Sequence, residues 1–335
     1  MICMSPRRRR CAVVVLICAI GTTVLQAAVE SPSDAIANSR WAWRLQEGES
    51  VALVDRNHDD QVVWRFNYGA SLNTPFFDPV ALPGGASLTW NQPPDHAWHH
   101  GLWFSWKEIN CVDYWQHAEG SSRPAGRTSW SNVAVATRPD GAASIMLELS
   151  YAPQDGGPVL RERRKIEISA PDATGLYRIS WHARFTAAMD PVVLDRVPIP
   201  PHPQGASWGG FAGLSVRFAE RLNSRQLATL DGPIAFGDDG IARPASAAAD
   251  YSGVNGNQEM GLAILDASNN PRHPVSWYAI ASGMSYLNPA VLTHAAMQIE
   301  AEETLTLRYR LVVHPGRWDA ATLRSEVARL IDRKN

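Results

Sequence analysis

The strongest constraint on the fold is a strict alternation of apolar and polar residues in segment 176–185, LYRISWHARF. From Tyr177 to Phe185 every second residue is apolar. In a β-strand successive side chains point to opposite faces, so such a pattern indicates a strand with one buried face. This segment therefore predicts part of a sheet that packs against a hydrophobic core.

Similar strand-like segments follow one another along most of the chain. They comprise residues 51–55, 61–68, 144–151, 165–169, 214–218, 260–265, 277–280 and 305–313. The 24 glycines and 23 prolines mark the turns between them. Clear helical periodicity is confined to the C-terminal end, where Leu323, Val327, Leu330 and Ile331 would share one face and Asp319 would cap the helix. We predict an all-β protein, a large antiparallel β-sandwich with a C-terminal helix, formed by one domain over residues 30–335.

The composition is that of a globular protein with a small negative charge. Of 335 residues, 45% are apolar and 19% are charged, and the formal net charge is −2. After residue 30 the sequence contains no block of basic residues, which argues against nucleic acid as the main partner. It also contains no second apolar run long enough to span a bilayer, so we expect no membrane span in the mature chain.

The N-terminal segment has the layout of a secretory signal peptide. Four arginines, Arg7 to Arg10, precede the apolar run 11–20, and a stretch of small and polar residues follows, with Ala27 as the expected last residue removed. We assign residues 1–28 as the signal peptide and expect a periplasmic or secreted protein. An uncleaved membrane anchor is the lesser alternative, because residues 11–28 are about long enough to cross a bilayer.

Cysteine usage excludes a disulfide framework in the mature chain. Three of the four cysteines lie in the signal segment, and only Cys111 remains. One thiol cannot form an intramolecular disulfide or a multi-cysteine zinc site. Because Cys111 lies in an apolar stretch, we expect it to be a buried and unreactive thiol.

A cluster of histidines carries the candidate chemistry. Asp95, His96, His99 and His100 lie between Pro93-Pro94 and Gly101, which predicts a stiff loop leading into an aromatic strand. A histidine can donate or accept a proton near neutral pH, and a neighbouring carboxylate can orient it. We predict that these four residues are catalytic and that no cofactor is needed. A metal site at the same cluster is the alternative, ranked lower because the spacing matches no strict metal motif.

Four segments resemble a known bacterial family. They are PPDHAWHHGLWFSWKEINCVDYW at 93–115, WGGFAGLSVR at 208–217, NPRHP at 270–274 and LNPA at 287–290. Together, over residues 65–314, they resemble the methane oxygenase PmoA-like family, whose function is largely unassigned. The resemblance implies a galactose-mutarotase-like β-sandwich and the company of exported sugar-degrading proteins. It does not imply a methane monooxygenase membrane subunit, which needs several spanning helices.

Other residues are predicted to bind the substrate. Arg272 and His273 lie on a proline-bounded loop and could hold a carboxylate or a sugar hydroxyl near the histidine cluster. Trp103 could stack on a sugar ring, although filling the core is the more common role of such a residue. Asn73 lies in a loop that could line the same cleft.

Two classes of function remain open. The first is an exported enzyme that acts on a sugar or oligosaccharide, as an epimerase, a lyase or a glycoside-cleaving enzyme, with histidine as the acid or base. The second is a non-catalytic carbohydrate-binding protein. Catalysis requires a histidine within hydrogen-bond reach of a second titratable group in a concave pocket, whereas binding requires only exposed rings and polar groups.

Export has a direct test. Mass spectrometry of the protein recovered from the periplasm or the medium is expected to find an N-terminus just after Ala27. An intact Met1 on soluble protein in the cytoplasm would contradict the assignment.

Overall fold

The computed structural model describes residues 39–332, and the predicted signal peptide and its cleavage site lie outside this range. Two nine-stranded antiparallel sheets dominate it. In spatial order the first sheet comprises β1 (Trp41–Gln46), β2 (Ser50–Asp55), β3 (Gln61–Asn67), β4 (Phe76–Val80), β5 (Leu102–Ser105), β13 (Gly213–Arg217), β20 (Tyr286–Pro289), β19 (Trp277–Ile280) and β16 (Ile241–Ala242). The second comprises β15 (Gly232–Ile234), β14 (Asn223–Thr229), β17 (Ala248–Asn255), β18 (Gln258–Asp266), β22 (Thr304–Pro315), β11 (Tyr177–Ala187), β10 (Leu160–Ile168), β9 (Ala143–Pro153) and β8 (Gly126–Thr137).

Two smaller pieces of regular structure complete this part of the chain. A four-stranded sheet has the order β21 (Met297–Ile299), β12 (Val192–Asp195), β6 (Glu108–Ile109) and β7 (Val112–Asp113). A short 3₁₀ turn covers Arg56–His58, and the helix α1 covers Ala320–Asp332. The predicted large antiparallel β-sandwich with a C-terminal helix is confirmed.

The core lies between the two large sheets. The apolar side chains of β11 are buried at every second position, as the alternation predicted. Aromatic rings join the sheets: Phe104 of β5 lies 5.3 Å from Phe185 of β11, and Phe77 of β4 lies 6.3 Å from Trp181. These centroid distances are those of packed aromatic pairs, so the two sheets form a sandwich with one shared core.

Helix α1 covers one half of the outer face of the second sheet. The carboxylate of Asp319 accepts a hydrogen bond from the backbone N–H of Thr322 at 2.8 Å, which confirms the predicted N-cap. Leu323 is buried, and Val327 and Leu330 pack with it against apolar residues of β17, β18 and β22. Across residues 39–332 no helix combines the length and the hydropathy that a membrane span requires.

Cys111 differs from its predicted state, because its side chain is exposed. Asn110 and Cys111 form the two-residue turn between β6 and β7, with φ values of 50° and 64°. Two successive residues in the left-handed region are typical of a tight hairpin turn, which projects its side chains into solvent. The apolar neighbours of Cys111 in the sequence gave no sign of this turn.

Candidate active site

The loop that carries the three histidines, residues 93–101, precedes β5 and folds over the outer face of the first sheet. We call it the histidine loop. Its turns are closed by backbone hydrogen bonds, from His96 N–H to the carbonyl of Pro93 and from His99 N–H to the carbonyl of His96. Gly101 ends the loop with φ of 76°, and a Cβ there would lie 2.6 Å from the carbonyl oxygen of Phe77. Only glycine fits this junction, which fixes the direction in which the loop leaves the strand.

Alternation in the first sheet builds a second aromatic cluster on its outer face. In β5, Leu102 and Phe104 point into the sandwich core, while Trp103 points the other way. Tyr278 of β19 and Tyr286 of β20 point to this same outer face. The histidine loop therefore lies on an aromatic surface that is separate from the main core.

Between loop and sheet lies a cavity of about 370 Å³. It is lined mostly by rings: His96, Trp98, His99, Trp115, Gln116, Trp208, Phe211, Tyr278, Ile280, Met284 and Tyr286. Trp208 is 49% exposed, which is unusual for so large an apolar side chain and leaves its ring available at the site. The volume and the apolar lining are those of a small-molecule site.

An ion pair holds one histidine of the loop in place. Nη2 of Arg217 lies 2.8 and 2.7 Å from the two carboxylate oxygens of Asp95, and Nδ1 of His96 lies 2.9 Å from Oδ2 of the same carboxylate. Burial raises the pKa of Asp95, but hydrogen bonds from Arg217 and His96 outweigh this effect and hold the pKa below its usual value. The ionised carboxylate accepts the Nδ1–H of His96. The structure gives Nε2 no hydrogen-bond partner among the described residues.

His99 is kept neutral inside a stack of rings. Its ring lies 4.7 Å from that of His96 and 5.5 Å from that of Tyr286, at interplanar angles of 24° and 26°. Burial, followed by the nearby charges of His96 and Arg217, lowers its pKa well below the ordinary value. Its Nδ1 is buried and has no hydrogen-bond partner within the described part of the chain. A neutral imidazole of this kind can hydrogen-bond a ligand but does not carry a charge at neutral pH.

His100, the third histidine, does not line the cavity. Its Nδ1 lies 3.0 Å from Oδ1 of Asn91, and its ring stacks at 5.1 Å on Phe76. Burial, with a smaller effect of His117, lowers the pKa of His100 to about 4. The predicted cluster is thus divided: Asp95 and His96 form the ionic part, His99 is a neutral wall of the cavity, and His100 lies outside it.

Arg272 and His273, which were predicted to bind the substrate, also lie outside the cavity. The guanidinium of Arg272 donates to the carbonyl oxygens of Val291, Ala295 and Ala296 at 2.7–2.8 Å. His273 pairs with the buried carboxylate of Asp266 at 2.8 Å. Neither residue lines the cavity, and the guanidinium of Arg272 is already engaged by these backbone carbonyls.

Trp103 and Asn73 also stand apart from the cavity wall. Trp103 is buried beneath it, with its ring 5.1 Å from that of His99 and 5.4 Å from that of Trp115. It supports the lining instead of contacting a ligand. The side-chain amide of Asn73 donates to the carbonyl of Ser122 at 3.0 Å.

Several residues of the site were not predicted. Arg217 is the most important, and it ends the segment 208–217 that also supplies Trp208 and Phe211. Alternation in β13 places Ser215 and Arg217 on the outer face, opposite the core residues Leu214 and Val216, so the strand pattern contained this signal.

The described residues contain no group of three or more His, Cys, Asp and Glu side chains arranged to hold a metal ion. Two of the three loop histidines already use Nδ1, in bonds to Asp95 and Asn91. The metal alternative at this cluster therefore lacks a ligand set in the described part of the chain.

The buried state of His100 predicts how stability depends on pH. Because the folded pKa of about 4 lies below the unfolded value of 6.5, only the unfolded chain binds this proton between those pH values. This contribution to stability is lost as the pH falls from 6.5 towards 4. His100→Gln should lessen the loss between pH 6.5 and 4.5 by about 2–3 kcal/mol in urea unfolding. His202→Gln, at an exposed position, should keep the wild-type dependence, and equal curves for all three proteins would contradict the account.

Comparison with known proteins gives a family and a set of distant structures. The model of a family of unknown function, DUF6807, matches residues 53–328. No functionally curated protein matches the sequence. An alpha-galactosidase from Lactobacillus brevis is 10% identical, with a TM-score of 0.39; the match covers 83% of this chain, which spans only 40% of that protein.

Two further structures match most of this chain and most of their own length. A protein provisionally named an aldose 1-epimerase, from Klebsiella pneumoniae subsp. pneumoniae MGH 78578, is 10% identical with a TM-score of 0.39, and 90% of each chain is covered. A galactose mutarotase related enzyme from Lactobacillus acidophilus is 8% identical with a TM-score of 0.35, and the match covers 83% of this chain and 99% of that one. Likenesses of this size carry no argument about activity. The family match, over most of the sequence, shows that the chain belongs to DUF6807.

Proposed function

We propose that this protein is an exported carbohydrate-active enzyme in which His96 transfers a proton to or from a sugar bound in the cavity. The observation that carries the proposal is the connected set Arg217–Asp95–His96, which ends at the wall of an aromatic cavity. A hydrogen-bonded carboxylate–histidine pair in a concave site is the arrangement that general acid–base catalysis requires.

The lining of the cavity suits a sugar. Flat rings such as those of Trp98 and Trp208 offer apolar faces to the C–H surface of a pyranose. His96, His99 and Gln116 supply polar groups for hydroxyls. In a site with many rings and few polar groups, the rings select the shape of the ligand. The small number of hydrogen bonds fixes its orientation.

The ion pair gives each partner a distinct task. Asp95, kept ionised by Arg217, accepts the Nδ1–H of His96 and leaves Nε2 with a lone pair that can take a proton. When Nε2 is protonated, the same carboxylate stabilises the imidazolium. Arg217 is 2% exposed and fixes the carboxylate, so the imidazole is held in one orientation without contact between Arg217 and the sugar.

Among the three reaction types, epimerisation and elimination fit better than glycoside cleavage. Most glycoside hydrolases place two carboxylates on either side of the scissile bond. The described residues that line this cavity include no Asp or Glu, and Asp95 is engaged by Arg217 and His96. A single histidine can serve an epimerase or a lyase if it takes a proton from carbon or oxygen and then gives it back to the product or to the leaving group.

A non-catalytic carbohydrate-binding protein is the second candidate. The dominance of rings over polar groups in the lining favours it, because rings hold a sugar by stacking while few side chains of the lining can transfer a proton. Export, in either case, is supported by Arg7 to Arg10 and the apolar run that follows them.

Replacement of His96 separates the two candidates. Purified protein is screened against neutral and acidic mono- and oligosaccharides, with anomeric exchange followed by proton NMR and elimination or cleavage by product mass. On a substrate so identified, His96→Ala should lower kcat by roughly 10²-fold while KM changes by less than about fivefold. The matched control is His58→Ala, because His58 pairs with the carboxylate of Asp55, which Arg40 also holds, but His58 does not line the cavity.

Three outcomes would contradict the proposal. Full activity of His96→Ala would remove its catalytic role. Saccharide binding without turnover by the wild type would favour the binding protein. Loss of activity in His96→Ala that added divalent metal restores would favour the metal alternative.

A further inference from the structure

The outer face of the second sheet carries a concentration of positive charge where α1 does not cover it. The outward side chains of β10, β11 and β22 alternate with core residues, and most of those that are charged are basic. They comprise Arg161, Arg163, Lys165, Arg178, Arg184, Arg308 and Arg310. The half beneath α1 is different, because residues such as Leu265 and Val312 bury apolar surface there.

The strand register places one pair of these cations directly opposite each other and places a histidine between two more. Lys165 pairs in register with His182, which in turn pairs with Arg308, and Arg163 pairs with Arg184. Like charges on facing positions of a sheet are destabilising. Burial, together with Arg308 and Lys165, lowers the pKa of His182. The fold thus maintains an arrangement that costs free energy in the isolated protein.

Nearby carboxylates offset this charge only in part. Glu148 lies 3.3 Å from Arg163, Glu167 lies 2.9 Å from Lys165, and Glu326 of α1 lies 2.5 Å from Arg178. The side chains of the first two pairs are exposed, and ion pairs between exposed side chains contribute little to stability. The cations on this face still outnumber the carboxylates.

The face is grooved. Two concavities, of about 560 and 230 Å³, share Glu167, Ser180 and Arg310 and so form one continuous depression, which we call the basic groove. Its other charged walls are Arg138, Lys165, Arg178 and Arg308. Hydroxyl groups of Ser144, Ser169 and Ser180 lie among them.

We propose that the basic groove binds a linear anionic polysaccharide. Rows of cations match charges repeated along a chain, and the serine hydroxyls match a ligand that also carries many hydroxyl groups. A depression formed by two joined concavities fits a chain better than a flat bilayer, and Met146 is the one large apolar side chain exposed on β9 beside it. Trp181 is the one tryptophan among the described residues that line the groove, and it is 1% exposed. Its ring is therefore not accessible for stacking on nucleobases.

This site is distinct from the aromatic cavity. The cavity lies on the outer face of the first sheet and the groove on the outer face of the second, with the sandwich core between them. Polysaccharide binding in the groove therefore does not require that His96 be catalytic.

The test measures binding of polygalacturonate and heparin by the purified protein at several salt concentrations, with dextran as the neutral comparison. Wild-type protein should bind both polyanions but not dextran, and the affinity should fall as salt rises. The double variant Lys165→Glu/Arg308→Glu should bind at least about tenfold more weakly. Arg44→Glu/Arg221→Glu changes the net charge equally at exposed positions outside the groove and should stay within about threefold of wild type.

Folding is checked by thermal unfolding, and Arg308→Gln replaces the double variant if that protein fails to fold. The His96→Ala protein should retain full polyanion affinity, which separates this proposal from the one on the cavity. The proposal is overturned if the wild type binds neither polyanion at low salt or if the Arg44/Arg221 variant loses as much affinity as the groove variant. Tighter binding of anionic vesicles or of single-stranded DNA than of both polysaccharides would also overturn it.

Discussion

The site depends on one constraint, which is that the first sheet has two apolar faces. Its inner face packs on the second sheet through residues such as Phe104, and its outer face carries Trp103, Tyr278 and Tyr286. An antiparallel sheet commonly leaves one face to water, and here that face is instead covered by the histidine loop. The loop rests on rigid strands, so Asp95 can meet Arg217 at hydrogen-bond distance and fix the ring of His96.

Much of the fold could be predicted from the sequence. The strand-like segments correspond to β2, β3, β9, β10, β11, β13, β18, β19 and β22, and Asp319 does cap the final helix. Strand β8 was missed because its residues are polar or half-exposed on both faces, so no apolar alternation marks it. Cys111 was predicted to be buried because the stretch around it is apolar, but it is exposed because its backbone forms a tight turn.

The site was only partly predictable. The spacing in the sequence predicted that the three histidines lie close together. It could not show that His100 turns towards Asn91 while His96 faces the cavity. Arg217 is 122 residues from Asp95, and no local pattern pairs them. The basic groove was not apparent from the sequence for a related reason: its cations stand at every second position between core residues of strands that are far apart in the chain, and only the short run 161–165 is visibly basic.

The central claim is that Asp95 holds His96 with Nδ1–H bonded and Nε2 open to a sugar. Two-bond proton–nitrogen NMR of the ¹⁵N-labelled histidine rings tests it directly at neutral pH. We expect His96 to be the Nδ1–H tautomer, to lose that preference in Asp95→Asn, and to show a shifted Nε2 resonance when a binding saccharide is added. An Nε2–H tautomer in the wild type, or an Nε2 resonance that no bound saccharide shifts, would contradict the account.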